Sequence, residues 1–219
     1  MMNLEGPRQM PASGGAAESL VILLHGYGAD GNDLIGLAPV FSSGFPEAEF
    51  VSPHAPFPCE MSSFGRQWFS LGDRSPESML AGARMAGQIL DAFINDELER
   101  LKLKAERLVL VGFSQGTMMS LFVGPRREEQ IAGIVGYSGR LLAPQLLPSE
   151  LKTKPPVTLI HGEADEMVPA SSLLDAVEGL QKVGIEVSSE LRPGLGHSID
   201  EKGLSIAAGF LEKVLGKAN

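Results

Sequence analysis

Cysteine is nearly missing from this 219-residue chain, in which Cys59 stands alone. A single thiol can form neither an intrachain disulfide nor a cysteine-based metal site, and it fits a reducing compartment. Basic residues are also scarce. Lys and Arg number 18 against 27 Asp and Glu, a formal charge of −9. That balance repels the phosphates of nucleic acid and the headgroups of an anionic bilayer, so neither is expected as a partner. Internal repeats and low-complexity tracts are lacking, and a hydrophobic content of 43% is too high for a disordered chain. No basic region followed by an apolar run opens the sequence at Met1–Gly6, so no secretory leader is expected. One stretch, Leu108 to Pro125, is uncharged over 18 residues, the length of a membrane-spanning helix. Ser114, Gln115, Thr117 and Ser120 lie within it, and Gly112 and Gly116 interrupt it. It reads as a buried strand running into a buried helix, with no integral membrane association and a cytoplasmic location expected.

What is present is a regular alternation, over a length suited to a single domain spanning 1–219. Short apolar runs at Leu20–Leu24, Glu49–Val51, Leu108–Val111, Ile131–Val135, Val157–Ile160 and Val187–Leu191 read as strands, most of them buried on both faces. The segment up to Ser19 has room for a short edge strand. Helical patterns lie between the runs. Ser75-Pro76-Glu77 is a helix start, and Met79, Ala83, Ala86, Leu90, Phe93 or Ile94, Leu98 and Leu101 then recur at steps of three and four. Its closing run, Asn95 to Arg100, reads as a solvated face. Further helices are expected after Ser114, from about Pro169 to Gly184, and from Asp200 to Gly216. Strands alternating with helices predict an α/β fold, a mostly parallel sheet with helices on both faces. Ligands bind such sheets at the carboxyl ends of the strands.

The residues that follow the strands carry the chemistry. Gly112-Phe113-Ser114-Gln115-Gly116 is a G-x-S-x-G between a strand and a helix, the context of a nucleophile elbow. A bend that tight excludes side chains two before and two after the serine, and the following helix offers free N–H groups to a developing oxyanion. A serine hydroxyl needs a base, and the base needs an orienting acid. In this fold the order is serine, acid, histidine. Only His161 and His197 follow Ser114. His197 lies in a glycine-rich loop after the last strand, whereas His161 ends a strand and reads as packed. The acid candidates after Ile160 are Glu163, Asp165 and Glu166. Position favours Asp165, and spacing by itself leaves all three open. His25-Gly26-Tyr27-Gly28 closes the first buried strand, where the fold finds its second oxyanion donor; the first is the N–H of Gln115. His25 and His54 read as structural, the methionines as packing, and Cys59 as a small buried residue. Trp68 and Phe69 read either as cleft or as core.

Together these residues resemble the phospholipase/carboxylesterase family of α/β-hydrolases, which includes bacterial carboxylesterases and acyl-protein thioesterases. The marks are Leu24 to Asp30, Pro53-His54-Ala55-Pro56, Trp68-Phe69, Gly112 to Gly116, His161-Gly162 with Asp165 and Val168-Pro169, and Gly196-His197. The resemblance implies a Ser114–Asp165–His197 triad, an oxyanion hole from the N–H groups of Tyr27 and Gln115, and Trp68 and Leu71 near an acyl cleft. It implies no cofactor, no metal and no large cap, the connection from Ser138 to Pro155 being too short for one. The expected activity is hydrolysis of small to medium carboxylic esters, with thioesters and lysophospholipids in the same range. Two departures stand out: Tyr27 where leucine is common, and Thr117 where a small residue is usual. A non-catalytic binder on the same fold is the rival reading, and it has no need of serine, histidine, acid and glycine loop together. A peptidase or acyltransferase on the same triad stays open, as does a homodimer.

Overall fold

The computed structural model describes residues 3–216. Met1 and Met2, which begin the stretch read for a leader, lie outside the described residues, as do 217–219. In chain order the elements are β1 (Arg8–Gln9), β2 (Ser19–Leu24), α1 (Gly31–Leu34), α2 (Ala38–Ser42), β3 (Ala48–Val51), β4 (Phe57–Pro58), β5 (Arg66–Gln67) and α3 (Pro76–Leu101). They continue as β6 (Leu108–Phe113), α4 (Gln115–Val123), β7 (Gly133–Tyr137), α5 (Leu147–Glu150), β8 (Val157–Gly162), α6 (Ser171–Lys182), β9 (Val187–Arg192) and α7 (Glu201–Leu215). Seven strands form one sheet in the order β1-β3-β2-β6-β7-β8-β9. All neighbours are parallel except β1, the weakly signalled edge strand, which runs antiparallel to β3. β4 and β5 pair as a separate two-stranded ribbon.

Alternation along each strand sends neighbouring side chains to opposite faces, which gives two apolar layers. Leu20, Ile22, Leu24, Leu108, Leu110 and Ile134 face α3, α4 and α6. Val21, Leu23, Val109, Val111, Val135 and Tyr137 face α1, α2 and α7. α3 follows the spacing read from the sequence. Ser75 caps it by accepting from the Ser78 N–H, Pro76 opens it, and Met79, Ala83, Ala86, Leu90, Phe93, Ile94 and Leu98 are buried along one side. The uncharged run from Leu108 to Pro125 is a buried strand and helix, and among the described residues no helix is long and apolar enough to cross a membrane.

Four readings are corrected. The acidic end of α3 is not uniformly solvated. Glu97 is buried, where Arg8 and Arg100 bind it together with Glu49 from β3, so the carboxylates tie the edge strand to the helix. β7 begins at Gly133 rather than Ile131, and there Phe210 of α7 occupies the space that a side chain would fill. The short helices α1, α2 and α5 went unread, since four or five residues cannot display a helical period. Met118 and Met119 are packing, but Met10, Met61, Met85 and Met167 are exposed.

Candidate active site

The end of β6 explains why the elbow needs its glycines. Ser114 sits at φ 54°, ψ −115°, between the strand and the first residue of α4, a conformation that stores strain in a non-glycine residue. A Cβ on Gly112 would lie 2.4 Å from the Thr117 nitrogen, and one on Gly116 only 1.8 Å from the Leu24 carbonyl oxygen. Strand and helix therefore approach at backbone contact, and Ser114 is left half-exposed above the sheet. Its own N–H donates to the Tyr137 carbonyl at 2.8 Å. Thr117 fits because its neighbours are small. Its methyl group fills the space beside Gly136 and Gly139, and its hydroxyl lies 2.8 Å from the carbonyls of both Gly112 and Tyr137. The departure at Thr117 is thus accommodated on the adjacent strand.

Three loops meet this elbow. The β8–α6 loop brings Asp165, whose side chain has no exposed surface. One carboxylate oxygen accepts the N–H groups of Met167 and Val168, both at 2.9 Å. The other accepts from His197 Nδ1 at 2.7 Å. Burial pushes this carboxyl up, but the hydrogen bonds from His197 and from the two backbone N–H groups outweigh it. The net position is below the ordinary carboxylate value, so Asp165 is ionised and Nδ1 of His197 carries a proton. The acid candidates are thereby separated, with Asp165 brought to the histidine. Glu163 accepts instead from the Gly194 N–H, and Glu166 is exposed. His161 is buried, donating from Nε2 to the Val168 carbonyl at 2.9 Å, which braces the acid's loop.

The β9–α7 loop brings His197, whose ring lies 4.8 Å from that of Phe113, the residue before Ser114. Gly162 makes the approach possible. A Cβ there would fall 2.3 Å from the carbonyl oxygens of Leu195 and Gly196, and the Ala164 N–H donates to Leu195 at 2.9 Å. The loops carrying Asp165 and His197 are hydrogen-bonded to each other.

The third loop follows β2. His25 has no exposed surface. Its Nδ1 donates to the Gly26 carbonyl at 2.8 Å, and its Nε2 accepts the Ala55 N–H at 2.9 Å. Burial holds its pKa below the usual histidine value, so it is a neutral structural group. A Cβ on Gly26 would come within 3.3 Å of the Ser114 Cβ, which places the Tyr27 turn beside the serine. Among the described residues, neither the Tyr27 nor the Gln115 N–H donates to another group. The Tyr27 phenol packs against Cys59, and burial first, then the thiol and nearby charges, push it up to about 12. Tyr27 is thus a neutral hydrogen-bonding side chain where an aliphatic one was expected.

Gln115 has a second role that the sequence did not reveal. Its side chain is buried, accepting the Trp68 N–H and donating to the Phe69 carbonyl, both at 2.8 Å. Trp68 Nε1 donates in turn to the His25 carbonyl at 3.0 Å. A continuous chain of bonds therefore links the elbow to the β2 loop. This corrects the expectation for Trp68: with no exposed surface, it is a core residue that positions the loop rather than a wall of an open cleft. Leu71 is half-buried and packs on the same core. The signal missed was the pairing of an amide side chain with an otherwise unpaired backbone segment, which no spacing rule reports. Among the described residues no group of three or more His, Cys, Asp or Glu is arranged to hold a metal ion.

The groups of an acyl-transfer site are gathered here: a hydroxyl at a helix N-terminus, a carboxylate-bound imidazole packed on the residue before it, and two unpaired N–H groups. Comparison with known proteins bears on this. A family model described as phospholipase/carboxylesterase matches residues 9–215. Acyl-protein thioesterase 1 of Gibberella zeae is 30% identical over 218 residues, covering 91% of this chain and 92% of that protein. Esterase YpfH of Escherichia coli is 28% identical, covering 92% of this chain and 85% of its own. The crystal structure of esterase PE8 is 42% identical with a TM-score of 0.93, covering 97% of this chain and all of the other.

Proposed function

We propose that this chain, which belongs to the phospholipase/carboxylesterase family of α/β-hydrolases, is a serine hydrolase of small to medium carboxylic esters working through Ser114, His197 and Asp165. That it is a hydrolase of the carboxylesterase and acyl-protein thioesterase kind follows from the family. The residue roles and the substrate range are our reading. The observation that carries it is the 2.7 Å bond from His197 Nδ1 to a fully buried, ionised Asp165, on a ring packed against the residue before Ser114. Residues 1–219 act as one domain in this reading, because a single sheet runs from β1 to β9.

Ser114 Oγ attacks the ester carbonyl while Nε2 of His197 takes its proton. Asp165 keeps Nδ1 protonated and stabilises the imidazolium that forms. The N–H groups of Tyr27 and Gln115 receive the tetrahedral oxyanion, a contribution worth ~10²- to 10³-fold in rate per donor in comparable sites. His197 then protonates the departing alcohol, leaving an acyl-enzyme on Ser114. Water repeats the sequence and releases the acid. Thioester hydrolysis is a second reading, favoured by the identity to a protein named as an acyl-protein thioesterase. Stoichiometric labelling of Ser114 by a fluorophosphonate, with hydrolysis of p-nitrophenyl esters, is the expected result. An unlabelled Ser114 in folded protein rejects the mechanism, and matched oxyester and thioester rates separate the two substrate readings.

A further inference from the structure

A cavity of about 840 Å³ opens between the start of α3, the segment after β7, and α6. That volume suits a small organic ligand. None of Ser114, Asp165 or His197 lines it, and the chain joins its wall to the elbow at Ser114. Gly139 lies against the elbow, where a Cβ would be 3.0 Å from the Ser114 carbonyl oxygen, and the next residue, Arg140, is in the cavity wall. The wall beside Arg140 is apolar, built from Met79, Leu80, Leu141 and Leu142.

The charges in this wall do not cancel. Arg140 is half-buried, and among the described residues its guanidinium reaches only the Met79 sulfur, at 2.7 Å. A thioether is a weak acceptor, and a guanidinium beside apolar surface without a counter-ion is poorly satisfied. Arg74, at the other end of the wall, also has no carboxylate partner among the described residues. It lies near enough to the Tyr27 phenol to act on it electrostatically. Across the cavity, Glu178 is bound by Lys182 at 2.7 Å, and Asp175 makes no ion pair with either arginine. The remaining feature of the cavity is a cationic end on an apolar wall, in a protein whose net charge is −9. Such a device recognises an anion carried on a short apolar spacer.

We infer that this cavity is a specificity subsite, in which Arg140, assisted by Arg74, binds a carboxylate carried by the ester substrate. The inference rests on the serine hydrolase reading above and deepens it by naming the substrate class. The carboxylate can belong to the acyl chain, as in a dicarboxylic half-ester, or to the alcohol. Arg140 is a binding residue here and touches no reacting atom.

The test compares three chromogenic or UV-detected esters: p-nitrophenyl butyrate, mono-p-nitrophenyl glutarate, and 4-carboxyphenyl butyrate. In the native protein one of the two anionic esters is preferred to its neutral counterpart by about tenfold in kcat/KM, or ~1.4 kcal/mol. Which one is preferred tells whether the carboxylate rides on acyl chain or alcohol. In Arg140→Gln that preference ratio falls about tenfold through KM, in Arg140→Lys it partly returns, and in Arg140→Glu it inverts. Added salt erodes the ratio in the native protein, as expected of a partly exposed ionic contact. Overturning results are native enzyme that discriminates against both anionic esters, or a ratio that Arg140→Glu leaves unchanged in folded protein. Fluorophosphonate labelling separates the two ideas. A labelled Ser114 without anion preference removes the subsite and leaves the hydrolase, whereas an unlabelled Ser114 removes both.

Discussion

Two neighbouring strands of this protein end in nearly the same four residues. β6 closes with Val111-Gly112-Phe113 and runs into Ser114, and β7 closes with Val135-Gly136-Tyr137 and runs into Ser138. They lie side by side in register, Phe113 against Tyr137, and both serines take a positive φ, 54° and 46°. Their surroundings make them different. Ser114 is half-exposed, heads a nine-residue helix and faces the loops that carry Tyr27 and His197. Ser138 is buried, its hydroxyl has no hydrogen-bond partner among the described residues, and an irregular segment follows it. A positive φ at a serine after a parallel strand is thus common to both positions. Exposure, a helix N-terminus and a histidine packed on the preceding residue set Ser114 apart.

The largest effect expected from this contrast is in catalysis. Ser114→Ala should reduce ester turnover by about a millionfold, as loss of an activated serine does in comparable enzymes, while Ser138→Ala should stay within about tenfold of the native rate. Steady-state assays with p-nitrophenyl esters decide it, and equal losses at the two serines would erase the distinction. Next comes the acid behind the base. Asp165→Asn should lower kcat by about 10⁴-fold, since the amide favours the wrong imidazole tautomer. The same substitution has a pH signature in stability. The folded-state pKa of Asp165 lies below its ordinary value, which is ~3.9 for an aspartate. Its stabilisation is complete above that value and is lost as pH falls through the folded-state pKa. The gap in urea midpoint between native protein and Asp165→Asn should therefore be widest near neutrality and close in acid.

Smaller effects test the backbone. An alanine at Gly116 meets the Leu24 carbonyl at 1.8 Å, a backbone obstacle, and should cost about 3 kcal/mol or more. At Gly139 the obstacle is the Thr117 side chain, 2.4 Å away, and alanine there should cost ~1–2 kcal/mol. Chemical denaturation ranks the two. Smallest of all, Ser138→Gly should raise stability by ~1 kcal/mol, because it relieves the positive φ and removes a buried hydroxyl without a partner. A destabilised Ser138→Gly variant would mean that this hydroxyl is satisfied in solution.

The same contrast shows what could be read in advance. The strand runs other than the start of β7, the buried face of α3 and the cap at Ser75 follow local rules of period and end chemistry, and appear where expected. The elbow was legible because its G-x-S-x-G pattern is contained in one strand-turn-helix unit, although the contact that demands Gly116 comes from Leu24 on β2. Gln115, Trp68 and Thr117 were not legible in the same way. Their partners stand 46 and 47 residues away for the Gln115 amide, 43 for the Trp68 indole and 20 for the Thr117 hydroxyl, beyond the range of any periodicity.

By itself, then, the order of residues determined the alternating architecture, the elbow around Ser114 and the selection of His197 as the histidine to propose for its base, because each follows from neighbours along the chain or from the chain order of the fold. Folding in three dimensions brought Asp165, of the three acids, to His197, made Trp68 core rather than cleft wall, and left Arg140 beside apolar side chains with no carboxylate partner among the described residues. Those outcomes depend on which groups meet across the sheet, and the free energy of a buried charge or amide is set by the partners that surround it in space.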